Sequence, residues 1–459
     1  MPLYKIISAG SLPALVIITS MLFSGCRSHN TYSLSGDIQQ EYPDTDEEAL
    51  ITDLNGDGYM FPEEPAVRVL LINTLAEFVL QSSGKVVISG SGQEHEIPAG
   101  SEIRFQQKKG ELLLFADGET LANDVHFRMK TDSSFTIRDV PYGINWWWGG
   151  REDRIYQGEL NIYTGDEENL KAVLHLPMER YMKGVVPYEI GPESPLGALK
   201  AQSVAARTEI VQALLTGKYE GEHYDVCAEV ECQVFAGDHR RSSRSDSSVT
   251  LTRGEVLEFE GAVADAYYAS NCGGKSERVE KVWPWRSGPK PYLVSGFDQA
   301  DDPPTDPQDD IETWLEEPPE SWCNPYIHTD LPEWSKANFR WEREIADSDF
   351  TEDFRGLDSL EIIERGESGR LHRIRAWKNG EAEKLDYELA IRQMVKPPLR
   401  SSAFVYSRTD TSWVFRGAGW GHGVGMCQSG AISQINSGYD YRQVIDHYFP
   451  GTSVVTVYR

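Results

Sequence analysis

"AVRVLLINTLAEFVLQSSGKVVISGSG", residues 66–92, packs apolar side chains into short runs, partly alternating with polar ones, and breaks them at Gly, Ser and Asn. That is the pattern of consecutive β-strands joined by tight turns, not of one long helix. The same punctuation recurs in "GELLLFADGETL" (110–121) and "GELNIYTGDEENLKAVLHLP" (158–177), so the strand-rich character extends over more than a hundred residues. Further on, the period changes. The stretch "VVPYEIGPESPLGALKAQSVAART" (185–208) reads as a strand end, a Pro/Gly turn and a helix start, with Ser194 as cap and Pro195 in the first turn. The helix should run to Gly217 with Leu196, Leu199, Ser203, Ala206, Ile210 and Leu214 on one face. Strands with a few helices make the expected class α+β.

Glu189 opens the turn before that helix, with Glu193 four residues on. Its neighbours Val185, Val186, Pro187, Tyr188 and Ile190 are mostly apolar. A carboxyl held among apolar groups has its pKa raised and keeps a proton near neutral pH, which is what a general acid requires. A solvated loop carboxylate is the competing reading. Gly-x-Ser-x-Gly and His-Glu-x-x-His motifs are absent, which removes two common hydrolase chemistries.

The chain opens with Lys5, the apolar run "LPALVIITSMLF" and "SGC" ending at Cys26, the layout of an export signal. Small residues before a cysteine resemble a lipoprotein processing site, so Cys26 is the expected lipidation position and the membrane contact is expected only through that lipid. An ordinary cleaved signal is the alternative; both readings place the protein outside the cytoplasm. The formal charge of -28 leaves no basic surplus for a nucleic-acid partner or for an anionic lipid surface. Residues 27–65 read as a polar tether, within which "DLNGDGYMFPEE" matches a calcium-loop template at Asp53, Asn55, Asp57 and Glu64. Pro62 inside the loop keeps an acidic turn as the alternative. The segment 298–320, rich in Pro and acidic residues, reads as an exposed linker or insertion.

Two loops carry ligand chemistry. "HYDVCAEVECQVF" (223–235) places His223, Cys227 and Cys232 close in sequence, and imidazole with two thiolates suits zinc. A local Cys227–Cys232 disulfide, or pairing of either with Cys272, Cys323 or Cys427, competes with the metal. If lipid takes Cys26, five of the six cysteines are left, so at least one is unpaired or bound to something else. "GWGHGVGMCQSGA" (419–431) surrounds His422 with glycines, which let a backbone approach a ligand, while Trp420 offers a stacking face and Gln428 a polar contact.

Taken in order, "YMKGVVPYEIGPESPLGALKAQSVAART", "HYDVCAEVECQVFAG", "AYYASNCGGKSERVEKVW", "RGESGR" and "GWGHGVGMCQSGA…YFPGT" resemble the SpoIID/LytB family of sporulation protein D and amidase-enhancer proteins. The likeness spans residues 155–459. It implies a lytic transglycosylase that cleaves between N-acetylmuramic acid and N-acetylglucosamine in glycan strands stripped of stem peptides, with Glu189 as acid and base. It implies a structural zinc at His223, Cys227 and Cys232. Adjacent motif residues Lys200, Gln202, Arg207, Asn271, Gly273, Gly274, Trp420, His422 and Gln428 become expected groove-lining positions. Cys272 and Cys427 stand where Ser or Thr is more usual, which raises a disulfide between their loops. The expected organisation is a lipoprotein signal (1–26), the tether (27–65), a strand-rich region (66–154) and a catalytic domain (155–459), its helices packed around a glycan-binding groove. A non-catalytic enhancer of a cell-wall amidase, and a zinc hydrolase with Glu189 as base, are the competing functions.

Overall fold

A computed structural model describes residues 60–144, 146, 149–285, 288–299 and 303–459. Cys26, Asp53, Asn55 and Asp57, with the export signal and most of the tether, lie outside the described residues. Strands make up 36% and helices 22%, which is the α+β class expected.

Two sheets form the strand-rich part. The seven-stranded one runs in the order Val226–Cys227, Ala66–Leu75, Leu170–Pro177, Glu159–Thr164, His126–Lys130, Val86–Gly90, Gln93–Ile97. The six-stranded one runs Gly150–Tyr156, Phe135–Tyr142, Glu77–Ser82, Glu102–Lys108, Glu111–Ala116, Glu119–Asp124. Alternation buries Val67 and Val69, Val86 and Ile88, Ile103 and Phe105, and Leu112 and Leu114 on inner faces. Phe105 of one sheet meets Phe127 of the other with ring centroids 5.8 Å apart, so the two inner faces share a core. Strands from both sides of position 154 lie in the seven-stranded sheet, and the strand Gly150–Tyr156 of the six-stranded sheet itself crosses 154/155, so the expected boundary falls inside a shared sandwich. The short strand Val226–Cys227 joins its edge in parallel, pairing with Val69 and Leu70. This fixes the cysteine loop to the sandwich.

Helix α1 covers Met178–Glu189, so residues 185–189 are helical where a strand end was expected. The breakers Gly191, Pro192 and Pro195 locate the turn, and nothing local to them tells a strand from a helix ahead of it. The helix persists because Met178, Tyr181, Met182, Val185 and Val186, at the spacing of one helical face, are all buried. It ends where Gly191 takes a φ of 89°, a conformation suited to glycine. Helix α2 covers Leu196–Thr216 and stops at left-handed Gly217, as expected. Pro195 is its N-cap, and Ser194 instead donates its hydroxyl to the Ile190 carbonyl at 2.7 Å, tying the end of α1. The single apolar face also needs correction: from Ala198 to Val211 the helix is buried almost all round, while Leu196 is exposed. It is the central helix, packed against α1, α3 (Ser243–Leu251), the strand Glu255–Phe259 and the helices Gln428–Asn436 and Tyr441–Tyr448. Its alanines let these neighbours approach closely.

Far segments close this core. Ser453–Thr456 pairs antiparallel with Glu255–Phe259, the Phe61 N–H donates to the Val457 carbonyl at 3.0 Å, and the Tyr458 hydroxyl donates to Glu179 at 2.6 Å.

The 298–320 segment is not an exposed linker among its described residues. It contains the helix Ile311–Glu316, capped by Asp310, whose Trp314 is 1% exposed and packs onto Gly274. One aromatic anchor outweighs the acidic composition around it. Trp314→Ala should therefore cost about 3–5 kcal/mol, read as a lower urea midpoint, where truncations at neighbouring exposed acids would change little.

Candidate functional site

Glu189 is the last residue of α1 and is half-buried. Its Oε1 accepts the Val234 N–H at 2.8 Å, a bond made possible because the cysteine loop is pinned to the sheet edge. Burial pushes the carboxyl up to about 7; the Val234 bond pulls the other way, and the charge of Glu209 adds to the rise. Gln233, fully buried, donates its amide to the Ala206 carbonyl and to Glu209 Oε2, both at 3.0 Å. Tyr268 belongs to the same surroundings: burial, then the charges of Glu189 and Glu209, hold its hydroxyl well above the ordinary phenol range. Trp334 stands beside Gly191 in the turn that follows Glu189. The result is a carboxyl that is protonated near neutral pH, is held by one backbone donor and keeps an open side.

The raised pKa fixes a stability prediction. A carboxyl with a folded pKa of about 7 against an ordinary 4.5 binds its proton more tightly when folded. Its favourable contribution is present below the unfolded value and is lost as pH rises through about 7. Glu189→Gln should thus be more stable than wild type by about 1–3 kcal/mol near pH 8, with the difference vanishing near pH 4, measured by urea unfolding at both values.

The expected lining residues divide into two groups. Gln202 and Gln428 do come together, the Gln428 amide donating to Gln202 Oε1 at 3.1 Å, and the Gln202 Nε2 is buried without a hydrogen-bond partner. Trp420 and His422 are half-buried; His422 accepts the Val424 N–H at Nδ1 and packs on Trp283 with centroids 4.8 Å apart. The others serve the fold. Arg207 is fully buried and forked onto Glu179, at 3.0 and 2.9 Å. Lys200 reaches over the Tyr441 ring. Asn271 is buried, holding the Cys323 carbonyl and the Gly273 N–H. Gly273 and Gly274 are buried at positive φ, and a side chain on either would strike Ala418 or Trp314. Each of these residues is held by protein partners in this structure.

The metal expectations also change. Cys227 and Cys232 lie with sulfurs 3.0 Å apart as free thiols, and Lys218 Nζ and the Tyr219 hydroxyl stand 3.3 and 3.4 Å from Cys232 Sγ. Burial resists ionisation of Cys232, but the Cys227 bond, the Lys218 charge and Tyr219 bring it down to about 6. His223 is not with them: it is exposed and stacked on Tyr163, centroids 4.0 Å apart. The pair fits a soft metal as two donors, half of a tetrahedral set. Glu64, the bidentate acid of the calcium template, is already engaged, accepting the Glu179 N–H at 2.8 Å and Arg253 at 2.6 Å. The first of these bonds satisfies a backbone N–H in the first turn of α1. Cys272 and Cys427 are free thiols as well, with Cys323 as a third sulfur beside them in place of the expected pair.

Sequence reasoning missed Glu209, Gln233, Tyr268 and Trp334. All four depend on packing between distant segments, which no local pattern shows.

Residues 166–259 match the family model described as stage II sporulation protein, and residues 277–425 match a domain of unknown function (DUF8618). An uncharacterized protein of Brachyspira hyodysenteriae is 24% identical over 86% of this chain and 95% of its own length. Stage II sporulation protein D of Bacillus amyloliquefaciens is 25% identical over 78% of this chain and 91% of its own. The amidase enhancer of Bacillus subtilis is 27% identical over 60% of this chain, which spans only 40% of that protein. No described helix is long and apolar enough to cross a membrane.

Proposed function

We propose that this chain, a SpoIID/LytB-family protein by its motifs and by the match over residues 166–259, works outside the cytoplasm on the cell wall as a peptidoglycan lytic transglycosylase. The observation that supports it is Glu189, a carboxyl kept protonated near neutral pH with one backbone donor and an open side. Protonated Glu189 gives its proton to the glycosidic oxygen as the muramic acid C1–O bond breaks. The resulting carboxylate then takes the proton of the C6 hydroxyl while O6 bonds to C1 and closes the 1,6-anhydro ring. The substrate supplies the nucleophile, so the second carboxylate of ordinary glycoside hydrolysis is dispensable. Burial is the main cause of the raised Glu189 pKa, and the charge of Glu209, bonded to Gln233, adds to it. If zinc binds at Cys227 and Cys232, it supplies a clamp on the loop that presents the Val234 N–H, and the reaction itself proceeds on Glu189.

The test is mass spectrometry of products from amidase-treated glycan strands. Anhydro-muramic ends support the reading; reducing ends would instead indicate hydrolysis by an activated water. The amidase-enhancer relative motivates a second reading, a glycan-binding module that stimulates a partner amidase. Strand binding with no released product from wild type, together with faster amidase turnover, would select it.

A further inference from the structure

Four ligand atoms converge far from one another in sequence: the sulfurs of Cys272, Cys323 and Cys427 and a carboxylate oxygen of Asp298, all within 4.8 Å of one another and all buried. We propose that these residues form a closed structural zinc site, separate from the Cys227–Cys232 pair.

The donor set is three soft sulfurs and one oxygen, four ligands in all, which suits tetrahedral zinc and disfavours magnesium or calcium. Cys272 and Cys323 sulfurs are 3.6 Å apart. Tetrahedral thiolates bound to zinc at about 2.3 Å stand about 3.8 Å from each other, whereas a disulfide needs about 2.05 Å. Disulfide pairing would also strand the third thiol beside a buried carboxylate. The backbone supports sulfur anions here: the Cys272 N–H points at Cys427 Sγ at 3.2 Å and the Gly274 N–H at Cys272 Sγ at 3.4 Å. Asp298 is oriented by the Cys323 N–H at 3.0 Å and the Tyr448 hydroxyl at 2.6 Å, the outer contacts that hold a carboxylate ligand in place.

Charge agrees with this assignment. Two arginines flank the cluster, the half-buried Arg340 donating to the Gly273 carbonyl at 3.0 Å and the buried Arg370 to the Cys272 carbonyl at 3.2 Å. A divalent ion with two guanidiniums balances three thiolates and a carboxylate. A surface recess lined by Cys272, Gly296, Asp298, His447 and Tyr448 gives a path of entry. Four protein ligands leave no open position for water, so the ion's part is mechanical: it joins both ends of the 298–323 segment to the Cys-Gly-Gly turn and to the glycine-rich loop ahead of Gln428.

The test uses the chain with Cys227→Ala and Cys232→Ala, which removes the other sulfur pair and leaves this cluster intact. Elemental analysis should find one zinc per chain, and replacement by Co2+ should give sulfur-to-cobalt charge-transfer absorption with strong tetrahedral bands. Adding Cys323→Ser or Asp298→Asn should lower metal content or shift those bands. Should those variants fail to fold, the double variant alone decides. Absence of bound zinc and of the cobalt–sulfur band in the double variant overturns the proposal. A disulfide between any two of Cys272, Cys323 and Cys427 in a non-reducing peptide map overturns it as well. Neither result bears on the transglycosylase reading, which is scored by its own products.

Discussion

Glu189→Gln is expected to lower the release of anhydro-muramic ends by about 10²–10⁴-fold, the usual effect of losing general acid and base catalysis, while the variant still binds glycan strands. The substitution keeps an acceptor for the Val234 N–H, so geometry is retained and the proton is what disappears. Wild-type turnover should fall above pH about 7, as the acid form is lost, and the variant's residual rate should not follow that limb. Because the variant is also predicted to be more stable than wild type at alkaline pH, a loss of activity cannot be assigned to unfolding. A variant that retains wild-type release would remove Glu189 from the chemistry.

The second large effect is structural. Arg207→Ala should destabilise the chain by about 3–5 kcal/mol, because it leaves Glu179 charged and unpaired inside the core. Arg207 is fully buried between α1 and α2, with Glu179 on one side and the carbonyls of Ser203, Val249 and Glu255 on the others. Glu179 gathers the Gly254 N–H and the Tyr458 hydroxyl as well. Arg207→Lys should rescue little, since an ammonium cannot reproduce the fork. Denaturation midpoints give the loss. If instead Arg207→Ala folds normally and only its KM for glycan rises, Arg207 contacts substrate and the structural assignment fails.

The strands were legible because alternation and Gly turns are local. Glu189 was legible only in part: its apolar neighbours suggest a raised pKa, but the local pattern alone fits a solvated loop carboxylate equally well, and its place at the end of a helix needs the fold. Residues 185–189 were misread because the Gly/Pro turn after them marks an end without saying of what, while the buried face that makes them helical needs the neighbours in place. Arg207, Asn271, Gly273 and Gly274 have the residue types of a binding groove. Only packing shows that each is already occupied by protein. The gathering of Asp298, Cys323 and Cys427 around Cys272 depends on contacts up to 155 residues apart and has no local trace.

The strand Ser453–Thr456 beside Glu255–Phe259, with the Phe61–Val457 bond and the Tyr458 hydroxyl on Glu179, has a consequence for the order of events in the cell. A ribosome that has made residues 60–440 has made α1 and α2 but not the segment that closes over them. Such closure across hundreds of residues is slow. A chain interrupted before residue 453 would carry Glu179 without its tyrosine and an unpaired strand edge, marks by which proteases and chaperones can tell an unfinished molecule from a finished one.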